Sequence, residues 1–104
     1  MQIVPLQPIP NQTLQVQLGG QACSLSVYQN AYGLFLDLYV SNALIIAGVL
    51  CQDLNRIVRS AYLGFVGDFV FDDTQGAADP VYTGLGSQFQ LIYLEESDLT
   101  ALGF

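Results

Sequence analysis

The sequence predicts a small, single-domain all-β protein, an antiparallel barrel or sandwich with an extended N-terminal arm. The chain has 104 residues, the length of one domain. Several segments place apolar residues at every second position, and turn residues separate them at spacings of about ten residues. No internal repeat or linker divides the chain. We predict an arm over residues 1–12, a β-domain over 13–94 and a short C-terminal tail over 95–104.

The opening arm is rich in proline. Pro5, Pro8 and Pro10 fix φ and remove backbone donors, so we expect the arm to be extended and to stay out of the interior of a sheet. Its apolar side chains are expected to pack on something and are candidate interface residues. They are Ile3, Val4, Leu6 and Ile9.

The first half of the β-domain alternates regularly. Residues 13–18, 22–28 and 34–41 each place apolar side chains on one face and mostly polar ones on the other, which is typical of half-buried strands. Gly19-Gly20 predicts a hairpin between the first two. The apolar run 44–51 lacks a polar face and predicts a central strand.

The second half is less regular. Residues 52–60 lose the alternation and predict a crossover loop. Residues 62–72 return to a period of two, and 73–80 form the longest loop. Residues 81–82 and 87–94 are expected to close the sheet, and one helical turn capped by Ser97 is expected to follow.

The composition excludes several classes of protein. The chain is 52% hydrophobic and 11% charged, which is opposite to the composition of a disordered chain. Two basic residues against nine acidic ones give a net charge of −7, so we predict no stable binding to nucleic acid. The absence of histidine excludes histidine metal sites, histidine general bases and Ser-His-Asp triads.

The sequence also bears on the compartment. No apolar run approaches the roughly 20 residues of a membrane helix, and the N-terminus lacks the basic and apolar regions of a secretory signal. We therefore expect synthesis in the cytoplasm and no membrane partner. Cys23 and Cys51 cannot form a four-ligand zinc site by themselves. Reduced, buried thiols are the favoured interpretation, and a disulfide is the alternative.

Three aspartates around the long loop are the strongest candidates for chemistry. Asp72, Asp73 and Asp79 could form a calcium site or an acid–base pair. Turn chemistry is the favoured interpretation, because Asp and Gly are ordinary loop residues and no EF-hand spacing is present. No nucleophile is paired with a base, so we predict no enzymatic activity and no cofactor.

The two arginines are the chain's only positive side chains. Arg56 and Arg59 could grip carboxylates on a partner, since arginine binds them with two parallel hydrogen bonds. Equally, they could pair within the chain with Asp53 or Asp68. Both arginines are therefore retained as interface candidates.

Six phrases of the sequence carry a resemblance to a known family. They are Ile3-Val4-Pro5-Leu6, Asn11-Gln12 through Gly19-Gly20-Gln21, Gly33-Leu34-Phe35-Leu36-Asp37-Leu38-Tyr39, Asn55-Arg56-Ile57-Val58-Arg59, Tyr62-Leu63-Gly64-Phe65-Val66-Gly67-Asp68, and Asp79-Pro80-Val81-Tyr82-Thr83-Gly84-Leu85-Gly86. Together they resemble the baseplate plug family of contractile-tailed bacteriophages. The resemblance spans residues 3–94 and leaves the tail 95–104 without a counterpart.

The resemblance implies a structural protein of the virion, located in the tail baseplate at the junction of tube and hub. It implies several copies that self-associate into a ring and contact the baseplate hub and tail tube proteins, with no catalytic residues. Two other functions stay open. One is a carbohydrate- or ligand-binding β-module of a virion. The other is a metal-dependent hydrolase that uses Asp72, Asp73 or Asp79.

Overall fold

The protein folds into two antiparallel sheets. The computed structural model describes residues 2–54, 56–58, 65, 67–76 and 78–102. Within these residues the elements are β1 (Gln2–Val4), β2 (Asn11–Leu18), β3 (Gln21–Asn30), β4 (Gly33–Val40), β5 (Ala43–Leu50), β6 (Asp68–Asp73), a 3-10 turn (Tyr82–Gly84), β7 (Phe89–Leu94) and α1 (Glu96–Leu102). The strand orders are β2-β3-β4-β5 and β1-β7-β6. The all-β prediction is confirmed, and the described strands form two separate sheets rather than a closed barrel.

Tight hairpins build the four-stranded sheet. Gly19 and Gly20 both have positive φ, and Leu18 pairs with Gln21 across them, so the loop has two residues as predicted. Ser41 and Asn42 also have positive φ, at 50° and 67°, in the corresponding turn between β4 and β5. These turns fix the register that keeps the apolar side chains of neighbouring strands on one face.

The hydrophobic core lies between the two sheets. The inward residues of β3 and β4 share one buried cluster with Phe69 of β6, Tyr93 of β7 and Phe65, which lies outside the strands. Ring centroids lie 5.3 Å apart for Phe65 and Phe69, 5.8 Å for Phe65 and Tyr93, and 5.6 Å for Phe69 and Tyr93. Burial of each such ring contributes on the order of 2 kcal/mol. The main buried residues of the four-stranded sheet are Leu18, Cys23, Leu25, Val27, Leu34, Leu36 and Leu38.

The arm contributes a strand to the second sheet. Residues 2–4 pair with β7 as an edge strand, Ile3 lying opposite Ile92. Pro5 follows directly and ends the pairing, since proline has no N–H to donate. Strand β2 begins at Asn11, two residues before the alternation begins in the sequence.

Strand β5 corrects one prediction. Its apolar run was expected at the centre of a sheet, but the structure places it at an edge, and five of its eight residues are exposed. An apolar run indicates that both faces of a strand are apolar. It carries no information on whether both edges are paired.

Strand β6 corrects another. Residues 68–71 are all buried, although a half-buried strand had been expected. Leu54 and Ile57 lie along the free edge of β6, where the N–H of Leu54 donates to Phe71 and that of Ile57 donates to Phe69. Strand β6 is therefore bonded along both edges, by β7 on one and by Leu54 and Ile57 on the other. Its alternating sequence did not indicate the second contact. Residues 62–64 and 66 of the predicted strand lie outside the described residues.

The C-terminal region also differs in detail. Residues 82–84 form a 3-10 turn, and the last strand begins at Phe89 rather than at residue 87. Helix α1 begins at Glu96, so Ser97 lies inside the helix and is not its cap. The carboxylate of Asp98 instead accepts a hydrogen bond from the N–H of Glu95 at 3.1 Å.

The two cysteines lead to a first prediction. Cys23 and Cys51 are free and buried, which confirms the favoured interpretation. Burial raises the pKa of Cys51 to about 12 and also raises the pKa of Cys23. Neither thiol should react with a disulfide reagent in the folded protein at about pH 8, because the reactive species is the thiolate. The urea-unfolded protein should titrate both.

A matched control is Tyr32→Cys, since Tyr32 is 86% exposed at a hairpin tip. This variant should add one fast-reacting thiol. Rapid reaction of both native thiols in the folded wild type would show that the core opens readily.

Candidate assembly surfaces

One face of the four-stranded sheet points away from the core. We call it the outer face, and cross-strand pairing assigns its members. On β2 and β3 it is polar and uncharged, and Thr13 Oγ1 lies 3.2 Å from Ser26 Oγ. On β4 and β5 it is aromatic and aliphatic, where Phe35 pairs with Leu50 and Tyr39 pairs with Leu44. The two halves offer hydrogen-bonding groups on one side and apolar area on the other.

Asp37 lies near the middle of the outer face. Its Oδ1 accepts hydrogen bonds from Tyr28 Oη at 3.0 Å and from the N–H of Gly48 at 2.7 Å. The β4–β5 register shifts at this point, and Gly48 has a φ of 67°, so the carboxylate holds a bulge in β5. Burial and the bond to Asp37 raise the pKa of Tyr28. The single acidic side chain of this sheet is thus engaged internally.

Charge is divided unequally along the chain. Between residues 2 and 52 the only charged side chain is Asp37, and the other ten charged residues follow from Asp53 onward. All four strands of the larger sheet fall in the uncharged part. Positions of charged residues are visible in the sequence, so this signal could have been found there. Its meaning depends on knowing that residues 11–50 form one sheet.

The edges of the two sheets differ in their accessibility. Leu54 and Ile57 bond to the free edge of β6, and β1 is only three residues long. Strands β2 and β5 are each eight residues long, and in the described part of the chain neither has a strand beyond it. Uncharged edges of this length are ready templates for pairing with another strand.

The structure pairs Arg56 within the chain. Its Nε lies 2.9 Å from Oδ2 of Asp68, whose side chain is fully buried, while the Arg56 side chain is 33% exposed. Oδ1 of Asp68 accepts hydrogen bonds from the N–H groups of Ile57, Val58 and Phe69. Of the two alternatives, this arrangement corresponds to the intramolecular pair. Arg59 lies outside the described residues.

The arm candidates divide into two pairs. Val4 and Leu6 are buried in the chain's own core. Ile3 is 57% exposed and Ile9 40% exposed. Of the four arm candidates, Ile3 and Ile9 therefore have apolar surface that a neighbouring protein could contact.

Two of the three loop aspartates, Asp73 and Asp79, accept hydrogen bonds from backbone N–H groups. Asp73 accepts from the N–H groups of Gln75 and Ala78 at 2.9 Å each, and from Nε2 of Gln88 at 3.1 Å. These donors lower the pKa of Asp73, with the N–H of Ala78 contributing most. Asp79 accepts from the N–H of Asp53 at 3.0 Å. The bonds from Gln75 and Ala78 give Asp73 the role that turn chemistry predicts, whereas the bond to Asp79 joins the loop to a distant segment.

Two general features complete the surface description. Among the described residues, no three cysteine, aspartate or glutamate side chains group in a way that could hold a metal ion. No helix in the same part of the chain has the length and apolarity needed to cross a membrane.

The fold and surfaces define a class: a small two-sheet β protein whose larger sheet offers uncharged edges and an uncovered outer face. A family model described as cyanophage baseplate Pam3 plug gp18 matches residues 1–96, so the chain belongs to this family of baseplate plug proteins. The resemblance seen in the sequence is confirmed. No curated protein matches the chain. Family membership indicates a structural role in a phage tail baseplate, among other baseplate proteins.

The buried carboxylate yields a second prediction. Asp68→Ala should lower the free energy of unfolding by about 3 kcal/mol or more, because it leaves Arg56 and three N–H groups without their acceptor. Asp68→Asn, which keeps one acceptor oxygen, should cost less. Urea denaturation followed by circular dichroism measures both.

Asp72→Ala is the control, since Asp72 is the half-buried aspartate on the same strand. It should change stability by about 0.5 kcal/mol or less, as typical surface substitutions do. Equal losses for Asp68→Ala and Asp72→Ala would contradict the anchoring role of Asp68.

The lowered pKa of Asp73 yields a third prediction. Its stabilising contribution is present above the ordinary aspartate pKa of about 3.9 and is lost as the pH falls through the lower folded value. The urea midpoint of the wild type should therefore fall more steeply with acid than that of Asp73→Asn. Gln88→Ala removes one donor to Asp73, and the acid dependence of its urea midpoint should lie between those of the wild type and Asp73→Asn. Parallel curves for all three proteins would be the contrary result.

Proposed function

We propose that this protein is the plug of a contractile-tail baseplate, located at the junction of tube and hub. It is made in the host cytoplasm and enters the virion, where several copies associate into a ring that contacts the hub and tail tube proteins. It acts by assembly and not by catalysis. The observation that carries this proposal is the family match over residues 1–96.

The larger sheet supports an assembly role. Its outer face combines hydrogen-bonding side chains on β2 and β3 with apolar ones on β4 and β5, of which Leu44 is 55% exposed and Leu50 40% exposed. Protein interfaces combine apolar centres with uncharged polar groups and bridging water in this manner. The fold beneath it is rigid, because both sheets close on one core.

The charge distribution supports a position beside DNA. Ten of the eleven charged residues lie from Asp53 onward, and eight of those ten are acidic. If this part of the chain lines the tail lumen, its negative potential repels phosphate and lets DNA pass without sticking. The uncharged sheet would then face protein neighbours.

Quantitative mass spectrometry of purified intact tails tests the proposal and is our fourth prediction. The molar ratio of this chain to the hub protein should be a fixed whole-number ratio in independent preparations. Capsids purified without tails are the control and should lack the chain. Absence of the chain from intact tails, or a ratio that varies with washing, would overturn the proposal.

A further inference from the structure

We propose that β5 of one copy pairs antiparallel with β2 of the next copy, so that the four-stranded sheet continues from copy to copy around the ring. This inference rests on the proposed self-association and specifies the surface that performs it. It commits to a second copy of this chain, bound head to tail, as the occupant of both edges.

The two edges match in length and direction. Strands β2 and β5 each have eight residues, from Asn11 to Leu18 and from Ala43 to Leu50. Because all three pairings in the sheet are antiparallel, β2 and β5 run in opposite directions. A copy placed beside β5 in the same orientation therefore presents an antiparallel β2. The four-stranded sheets of the two copies then have their core-facing sides on the same side.

The backbone of β2 has hydrogen-bonding groups that point outward from the sheet. Gln29 donates its N–H to the carbonyl of Pro10, and hydrogen-bonded pairs alternate along an antiparallel ladder. By this alternation the N–H and C=O groups of Thr13, Gln15 and Gln17 point away from β3. On β5, the bond from the N–H of Cys51 to Leu34 likewise directs the backbone groups of Leu50 outward.

Side chains at both margins of the core are incompletely covered. On the core-facing side of β2, Leu14 and Val16 are half-buried and pack on the main cluster. On β5, Ile45, Ile46 and Val49 are likewise half-buried and pack on the main cluster. Pairing of β5 with β2 would bring these two margins together and remove apolar area from water on both.

Charge favours a second copy at these edges. A chain with a net charge of −7 repels its own copies, yet neither β2 nor β5 carries a charged residue. The one carboxylate on the sheet, Asp37, is held by Tyr28 and Gly48. Two copies can therefore meet here without opposing like charges. A two-fold pairing of β5 with β5 would leave the β2 margin exposed, whereas head-to-tail pairing covers both and can close a ring.

Site-directed cross-linking tests the inference and is our fifth prediction. Gln15 and Ala47 are exposed near the middle of β2 and β5, and the two native thiols are buried. Tails containing the double variant Gln15→Cys/Ala47→Cys, treated with a short bismaleimide, should give a ladder of multimers of this chain. Each single variant, treated identically, should stay monomeric on denaturing gels.

A charge variant provides an independent readout. Gln15→Glu places a carboxylate on the β2 edge and should reduce incorporation into tails by about tenfold or more, because the uncharged β5 edge offers no partner for a carboxylate that loses its water there. Gln2→Glu makes the same chemical change on β1 of the other sheet and should leave incorporation unchanged. Equal incorporation of the two variants would overturn the inference.

The outcomes separate the two proposals. A ladder from the double variant supports the β5–β2 contact. Dimers from Ala47→Cys alone would replace it with a two-fold β5 contact. A whole-number ratio of plug to hub without any cross-link would overturn the edge assignment and leave the plug function standing. Absence of wild-type chain from tails would instead overturn the plug function itself.

Discussion

The buried carboxylate of Asp68 is the interaction on which the second sheet depends. A charge removed from water is tolerated only when it is paired and fully hydrogen-bonded, and here one arginine and three N–H groups supply that compensation. The same bonds tie residues 56–58 to β6. Leu54 and Ile57 bond to the free edge of β6, so in the described part of the chain the short β1 is the one open edge of the three-stranded sheet.

The larger sheet is organised differently. It forms through three consecutive hairpins, and its strands pair with near neighbours in the chain. Local pairing needs no buried ion pair, and only Asp37 among its residues is charged. The molecule therefore combines a sheet with a single charged side chain, beyond whose edges the described residues place no strand, with a more charged half in which the carboxylate of Asp68 is buried. For a protein of a crowded baseplate, this division separates the surface suited to neighbours from the surface that carries repulsive charge.

Arg56 shows how one of the two basic residues in an acidic chain is used. The two interpretations of Arg56, a grip on a partner and an internal pair, were equally supported by composition. The structure places its guanidinium on Asp68, twelve residues away, because β6 brings that carboxylate back beside the crossover segment. Val4 and Leu6 illustrate the same point, since their apolar character predicted a contact that turned out to be with the chain's own core.

Local chemistry in the sequence determined the hairpins, the inward and outward faces of β2, β3 and β4, and the turn role of Asp73. Alternation and left-handed turn residues act over a few positions, so they can be read without the fold. Only the tertiary structure decided that β5 lies at an edge and that β6 is enclosed. Whether a strand's edges are paired depends on which distant segments come to lie beside it. An apolar run has the same sequence at the centre of a sheet as at its margin.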